Sequence, residues 1–345
     1  MALLRVLTTL VVMYCGQCLG APLVIPAIFP KPYIAYPNCT TACGSKKACP
    51  QTPCMLGSAN TTSNTPGFVL QSLCNMPQLI WTSRDDLHPC QEYSGLNLVE
   101  IAYGIDRGNL DIVRDPTGYD ASVWRVLYPG SSYRPKAIDA PIGGAGFYSA
   151  PIDLSNAKSV TYQYDVLFPV GFDFVKGGKL PGLFGGHPEC SGGAKALDCF
   201  STRLMFRAYG DGELYLYSDK NAQDPRLCIN QTIPLVPGTV CDDKYGTSIG
   251  RGAWRFPLGE WTSVQQTITL NTIDSHTLLP NRNGLAVIRV NGDTVIDTGN
   301  IVYQTSNIGF AGIDFETFFG GSTNDWATPR DQVTYFRKQK LKIEY

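Results

Sequence analysis

Six stretches of the chain, 159–168, 200–208, 213–218, 262–270, 284–290 and 333–344, are rich in β-branched or aromatic residues. Most of them alternate apolar and polar positions at least in part, with the period of two at which side chains share one face of a strand. Asn283-Gly284 and Asn291-Gly292 supply turn chemistry on both sides of the fifth. No long amphipathic helical pattern is present, and no fixed repeat points to a propeller or solenoid. The expected fold is all-β: one large antiparallel β-sandwich of jelly-roll type over residues 97–345.

Residues 21–96 read differently, rich in Pro, Thr, Ser and Cys and poor in alternation, as a small disulfide-rich N-terminal segment. Residues 1–20 read as a secretory signal: Arg5 precedes an apolar run from Val6 to Met13, and small residues follow near Gly20 and Ala21. That run is shorter than the roughly 20 residues a spanning helix needs, so a secreted, extracellular protein is expected. With 43% hydrophobic and 17% charged residues, 35 Gly, 24 Pro and 18 Tyr, the composition suits short strands and tight turns. The net charge of -1 gives no bulk attraction to nucleic acid or to an anionic membrane, and neither is expected as a partner.

Twelve cysteines point to an oxidising compartment. Two lie in the signal, and the remaining ten are an even number. Cys190 with Cys199 and Cys228 with Cys241 are spaced as two local loops, whereas Cys39, Cys43, Cys49, Cys54, Cys74 and Cys90 allow 15 connectivities. Zinc is disfavoured because His88, His187 and His276 are the only histidines and lack ligand spacing. Asn38, Asn60 and Asn230 begin glycosylation acceptor triplets.

Candidate chemistry concentrates in the middle of the chain. In Phe200–Arg207 the residues Ser201, Arg203, Met205 and Arg207 share one strand face, opposite Phe200, Thr202, Leu204 and Phe206. In the next stretch Tyr215 and Tyr217 alternate with Leu214 and Leu216. A three-residue loop, Gly210-Asp211-Gly212, pairs odd with odd positions, setting Arg207 across from Tyr215 and Met205 across from Tyr217. A two-residue loop would send the tyrosines to the other face. Upstream, KGGKLPGLFGG places Lys179 among five glycines. Lys176 reads as a surface lysine and His187 as a possible cleft residue. Cations and phenols on one sheet face suit an acidic, hydroxyl-rich ligand such as a uronic-acid polysaccharide. A lectin-like binding sandwich is a rival. A glycoside hydrolase is another, but it needs paired carboxylates, and Asp211 and Glu213 read as turn residues.

KGGKLPGLFGG, CFSTRLMFR and GELYLY together resemble polysaccharide lyase family 14, which includes alginate lyases of marine molluscs, glucuronate-chain lyases of algal viruses and similar secreted fungal proteins. The ending from Gly312 to Gly321, followed by Trp326-Ala327, also resembles the family. The resemblance implies β-elimination on β-1,4-linked uronic-acid chains, with glucuronan favoured over alginate. It also implies a catalytic set of Lys179, Ser201, Arg203, Tyr215 and Tyr217. Arg207, His187, Gly178 and Gly182 are expected to contact substrate. Neither metal nor cofactor is implied, and a monomer is expected. Whether Tyr215, Tyr217 or Lys179 is the base stays open at this level.

Overall fold

The computed structural model describes residues 80–83, 95–119, 121–228, 236–242 and 244–344. The signal, most of the cysteine-rich segment with its six cysteines, and Asn38, Asn60 and Asn230 lie outside the described residues.

Sixteen strands follow one another among the described residues: β1 Ile80–Thr82, β2 Leu98–Tyr103, β3 Leu110–Arg114, β4 Ser122–Tyr128, β5 Ala145–Ser149, β6 Ser159–Leu167, β7 Gly177–Leu180 and β8 Gly182–Gly185. Then come β9 Phe200–Arg207, β10 Asp211–Tyr217, β11 Thr247–Arg255, β12 Trp261–Thr269, β13 Gly284–Val290, β14 Asp293–Ile301, β15 Phe310–Phe319 and β16 Gln332–Glu344. They form two antiparallel eight-stranded sheets, a sandwich of the expected class. Sheet A runs β14-β13-β12-β6-β16-β4-β3, with β1 also on β16. Sheet B runs β11-β10-β9-β7-β15-β5-β2, with β8 beside β9 and β15. No helix among the described residues is long and apolar enough to cross a membrane.

Alternation decides which residues enter the core. Even positions of β12 (Thr262, Val264, Gln266, Ile268) are buried while odd ones are half-exposed. Val160, Tyr162, Tyr164 and Val166 of sheet A meet Leu204, Phe206, Leu214, Ile313 and Phe315 of sheet B. Phe147 stacks on Phe315 at 4.7 Å, and Trp124 meets Phe315 edge-on at 5.2 Å. Polar ties cross this layer beneath the candidate site. Thr202 Oγ1 donates to Gln266 Oε1 at 2.7 Å, and the Tyr164 hydroxyl donates to the Pro181 carbonyl at 3.1 Å, where the proline separates β7 from β8. Both C-terminal disulfides form, Cys190–Cys199 and Cys228–Cys241.

Turn chemistry differs in one place that matters. Asn291 and Gly292, at φ 52° and 95°, make the β13–β14 hairpin. Between β9 and β10, however, the left-handed residues are Tyr209 (φ 64°) and Gly210 (φ 82°), so the loop is Ala208–Gly210 and not Gly210–Gly212. Gly212 instead lies in β10, where a Cβ would come within 2.0 Å of the Trp254 ring. Odd parity is kept, so the tyrosines share the arginine face, but the register slides: Arg203 faces Tyr215 and Ser201 faces Tyr217.

Candidate active site

The outer face of sheet B is built by strand order. Lys179 of β7 lies opposite Met205 of β9 on one side and Phe318 of β15 on the other. Lys179, Ser201, Arg203, Tyr215, Tyr217 and Arg207 therefore converge, as the sequence led one to expect. Tyr215 and Tyr217 meet edge-on at 5.6 Å, and with Met205, Ala196, Cys190 and Cys199 they form a second apolar cluster outside the main core.

Exposure separates these groups. Lys179, Tyr215 and Tyr217 keep 7%, 9% and 5% of their surface, whereas Ser201 and Arg203 keep 0% and 1%. The first three reach the surface and the last two do not. Ser201 Oγ donates to the Cys190 carbonyl at 2.9 Å, tying β9 to the disulfide loop. Arg203 is ion-paired with Asp314 at 3.3 Å and, more closely, with Glu316. The open cationic face expected from sequence is thus corrected. Arg207 is likewise paired with Glu213, and the half-exposed Lys176 with Asp325.

Lys179 differs. Its Nζ donates to the Met205 sulfur at 3.0 Å and sits 3.1 Å from the Tyr215 ring centroid, and no described carboxylate pairs with it. A thioether and a π-face are weak partners for an ammonium. Burial first, then the charges of Arg203 and Arg207, hold its pKa well below that of an ordinary lysine. Burial, followed by Tyr217, moves the Tyr215 phenol the other way, above its usual range. Cations therefore do not turn Tyr215 into a phenolate in the free protein.

Two carboxylates escaped the sequence reading and a third was placed wrongly. Asp314 and Glu316 stand two apart on β15, and Glu213 is a wholly buried strand residue of β10, not a turn residue. The supposed lack of paired strand carboxylates is therefore also corrected, although this pair is committed to Arg203. The Asp314-x-Glu316 spacing was the available signal. What hid it was a separation of 111 residues from Arg203, bridged only by the order of strands.

The remaining expectations fare differently. His187 lies on an exposed loop, its Nδ1 2.6 Å from the Pro188 carbonyl and its Nε2 3.3 Å from Asp198. The Pro188 hydrogen bond first, and Asp198 after it, raise its pKa. Glycine at 178 and 182 has a packing cause: a Cβ at Gly178 would come within 2.3 Å of the Phe206 ring, and one at Gly182 within 2.4 Å of the Thr202 carbonyl oxygen. His187, Asp198 and Cys199 lie at metal-ligand spacing, but the Cys199 sulfur is spent in a disulfide, leaving two exposed donors.

The sequence profile of polysaccharide lyase 14 matches residues 117–339. A search of curated proteins returned no match. Among solved structures, the marine PL-14 alginate lyase from Aplysia kurodai is 30% identical, covering 76% of this chain and 98% of its own, with a TM-score of 0.63. An alginate lyase from Chlorella virus is 23% identical, covering 72% and 100%, with a TM-score of 0.56, a likeness of fold.

Proposed function

From membership of polysaccharide lyase family 14, to which this chain belongs, we propose that it cleaves β-1,4-linked uronic-acid chains by β-elimination, with Lys179 as base and Tyr215 as acid. Membership makes it a carbon–oxygen lyase acting on uronate polysaccharides. The observation that carries the role assignment is the state of Lys179: buried, without a carboxylate partner among the described residues, and with its pKa pushed down.

In the reaction the C5 proton beside the uronate carboxylate leaves, a C4–C5 double bond forms, and the C4–oxygen bond breaks. A neutral Lys179 amine accepts the C5 proton. Tyr215, which burial keeps protonated, delivers a proton to the departing C4 oxygen. Tyr217, at the edge of the Tyr215 ring, orients it. Charge accumulating on the carboxylate needs a cation that substrate can reach. Arg207, whose guanidinium carbon lies 5.5 Å from the Tyr215 ring centroid and whose side chain retains 12% exposure, meets that need better than the enclosed Arg203. Arg203 then acts through Lys179, disfavouring its protonated form. Ser201 holds the disulfide loop against β9.

Between the two substrates, alginate has a specific observation behind it, the Aplysia kurodai relative. Glucuronan remains the expectation from sequence. The test is absorbance of the unsaturated uronate formed on each polymer, with Tyr215→Phe alongside. Product from alginate, with turnover in the variant down by about 10³-fold, is expected. Product from glucuronan alone would move the substrate. Silence on both polymers with binding retained would leave a lectin-like module.

A further inference from the structure

A second charged cluster adjoins Tyr215. The Glu213 side chain is wholly buried, and both of its oxygens are occupied. Arg207 Nε donates to Oε1 at 2.8 Å, reinforced by its Nη2. Arg251 Nε donates to Oε2 at 2.9 Å and Ser248 Oγ to the same oxygen at 2.6 Å. Burial alone would raise this carboxyl, but Arg207, Arg251 and Ser248 outweigh it and keep it below its usual range.

Two guanidiniums around one carboxylate leave a net positive charge facing outward. The Arg251 side chain is 39% exposed and that of Arg207 12%. Arg251 commits only its Nε to Glu213 and Arg207 its Nε and Nη2, so the Arg251 terminal N–H groups and Arg207 Nη1 are left for another acceptor. A buried carboxylate fixing two guanidinium planes lowers the entropy they lose on meeting a ligand.

An aromatic ring completes the arrangement. The Arg207 guanidinium carbon is 5.8 Å from the Trp326 ring centroid, much as it is 5.5 Å from that of Tyr215. Trp326 is half-buried and rests on Gly321, where a Cβ would come within 2.2 Å of the indole. The ring is seated against backbone and keeps part of its surface open. Lys176 and Asp325 pair with each other nearby, adding no net charge.

We propose that Arg207, Arg251 and Trp326 form a second uronate-binding subsite, continuous with the catalytic cluster, that takes a neighbouring sugar of the acidic chain. Arg251 binds its carboxylate, Arg207 stays with the carboxylate of the reacting sugar and bridges the two positions, and the indole carries the apolar face of the neighbouring ring. This rests on the lyase reading above and adds two residues to it. The subsite acts on the grip of the chain, not on proton transfer.

The test uses the full chain and purified alginate or glucuronan, whichever yields product. Arg251→Ala and Trp326→Ala are each expected to raise KM roughly tenfold while kcat falls less than about twofold. Arg251→Lys should recover part of the loss, and KM of Arg251→Ala should vary less steeply with salt than that of the parent. Lys176→Ala should stay within about twofold on KM. KM unchanged in both main variants with lowered melting temperatures would make the cluster a structural clasp and overturn the proposal. Should Arg251→Ala fail to fold, Trp326→Ala and Trp326→Phe decide alone: a KM rise in the first with recovery in the second supports the subsite, and no rise overturns it. If the parent releases no product from either polymer, retardation in polyuronate-containing native gels replaces KM. Loss of retardation in the variants then upholds the subsite while the lyase reading falls.

Discussion

Each sheet carries one arginine held between two acids. On sheet A, Arg337 of β16 pairs with Asp115 at 2.6 Å and Asp165 at 3.1 Å and stacks over Trp261 at 4.1 Å. On sheet B, Arg203 pairs with Asp314 and Glu316. The first group is saturated, since Asp115 also accepts from Thr117 N–H at 2.8 Å, Thr117 Oγ1 at 2.6 Å and Trp261 Nε1 at 3.3 Å. In the second, Asp314 Oδ1 and Arg203 Nη2 are buried without a hydrogen bond among the described residues. The acids respond in opposite directions. Burial would raise Asp115, but Thr117, Trp261 and Arg337 prevail and lower it, whereas burial pushes Asp314 up to about 8 despite Arg203. Ion-pair geometry alone does not separate a clasp from a tuned site; the degree of hydrogen-bond saturation does.

The widest gap between the two groups should appear on substitution. Lys179→Ala, beside the unsaturated group, should lower turnover by about 10³-fold and leave the melting temperature near that of the parent. Arg337→Met should do the reverse, costing about 3 kcal/mol in denaturant unfolding with kcat unaltered, because enclosed Asp115 loses its cation and Asp165 keeps only the more distant Lys338. Comparable activity loss in both variants would dissolve the distinction.

A smaller effect separates the acids by pH. Between about 4 and 8 the folded chain retains the Asp314 proton that the unfolded chain has released, so stability falls as pH rises through that window. Asp314→Asn should flatten this slope. Asp115, lowered in the fold, contributes stability above its unfolded pKa and loses it as pH drops through the folded value, so Asp115→Asn should soften acid unfolding. Unfolding curves across pH give both slopes, and the same sign for both would refute the contrast.

The smallest expected change concerns rate. The Glu316 charge raises the Lys179 pKa against the lowering by burial, Arg203 and Arg207. Glu316→Gln should therefore shift the acid limb of kcat/KM to lower pH. An unmoved limb would mean that it reports a group other than Lys179.

The sandwich was legible because a period of two survives in β6, β9, β10, β12, β13 and β16, whose observed limits fall within two residues of those read from the pattern. Parity also placed Tyr215 and Tyr217 on the arginine face. The register was not legible, since the left-handed turn falls on Tyr209, a residue type with no special preference for φ > 0. The charge balance of the site was missed for a different reason. Arg203 and Arg207 looked like free cations because Glu316 is remote in sequence and Glu213, though near, was assigned to a turn. Sequence shows what the glycines around Lys179 admit on the open side, but not that Phe206 and the Thr202 carbonyl exclude side chains from the packed side.

The Cys190–Cys199 loop supplies the carbonyl that holds Ser201, and its sulfurs pack with Tyr215, Tyr217 and Met205. The sandwich core, by contrast, contains no cysteine among the described residues. Loss of the Cys190–Cys199 bond is therefore expected to disturb the site sooner than the core beneath it. Preparations of this protein should be judged by thiol titration as well as by folding, because a well-folded batch and a competent one need not be the same.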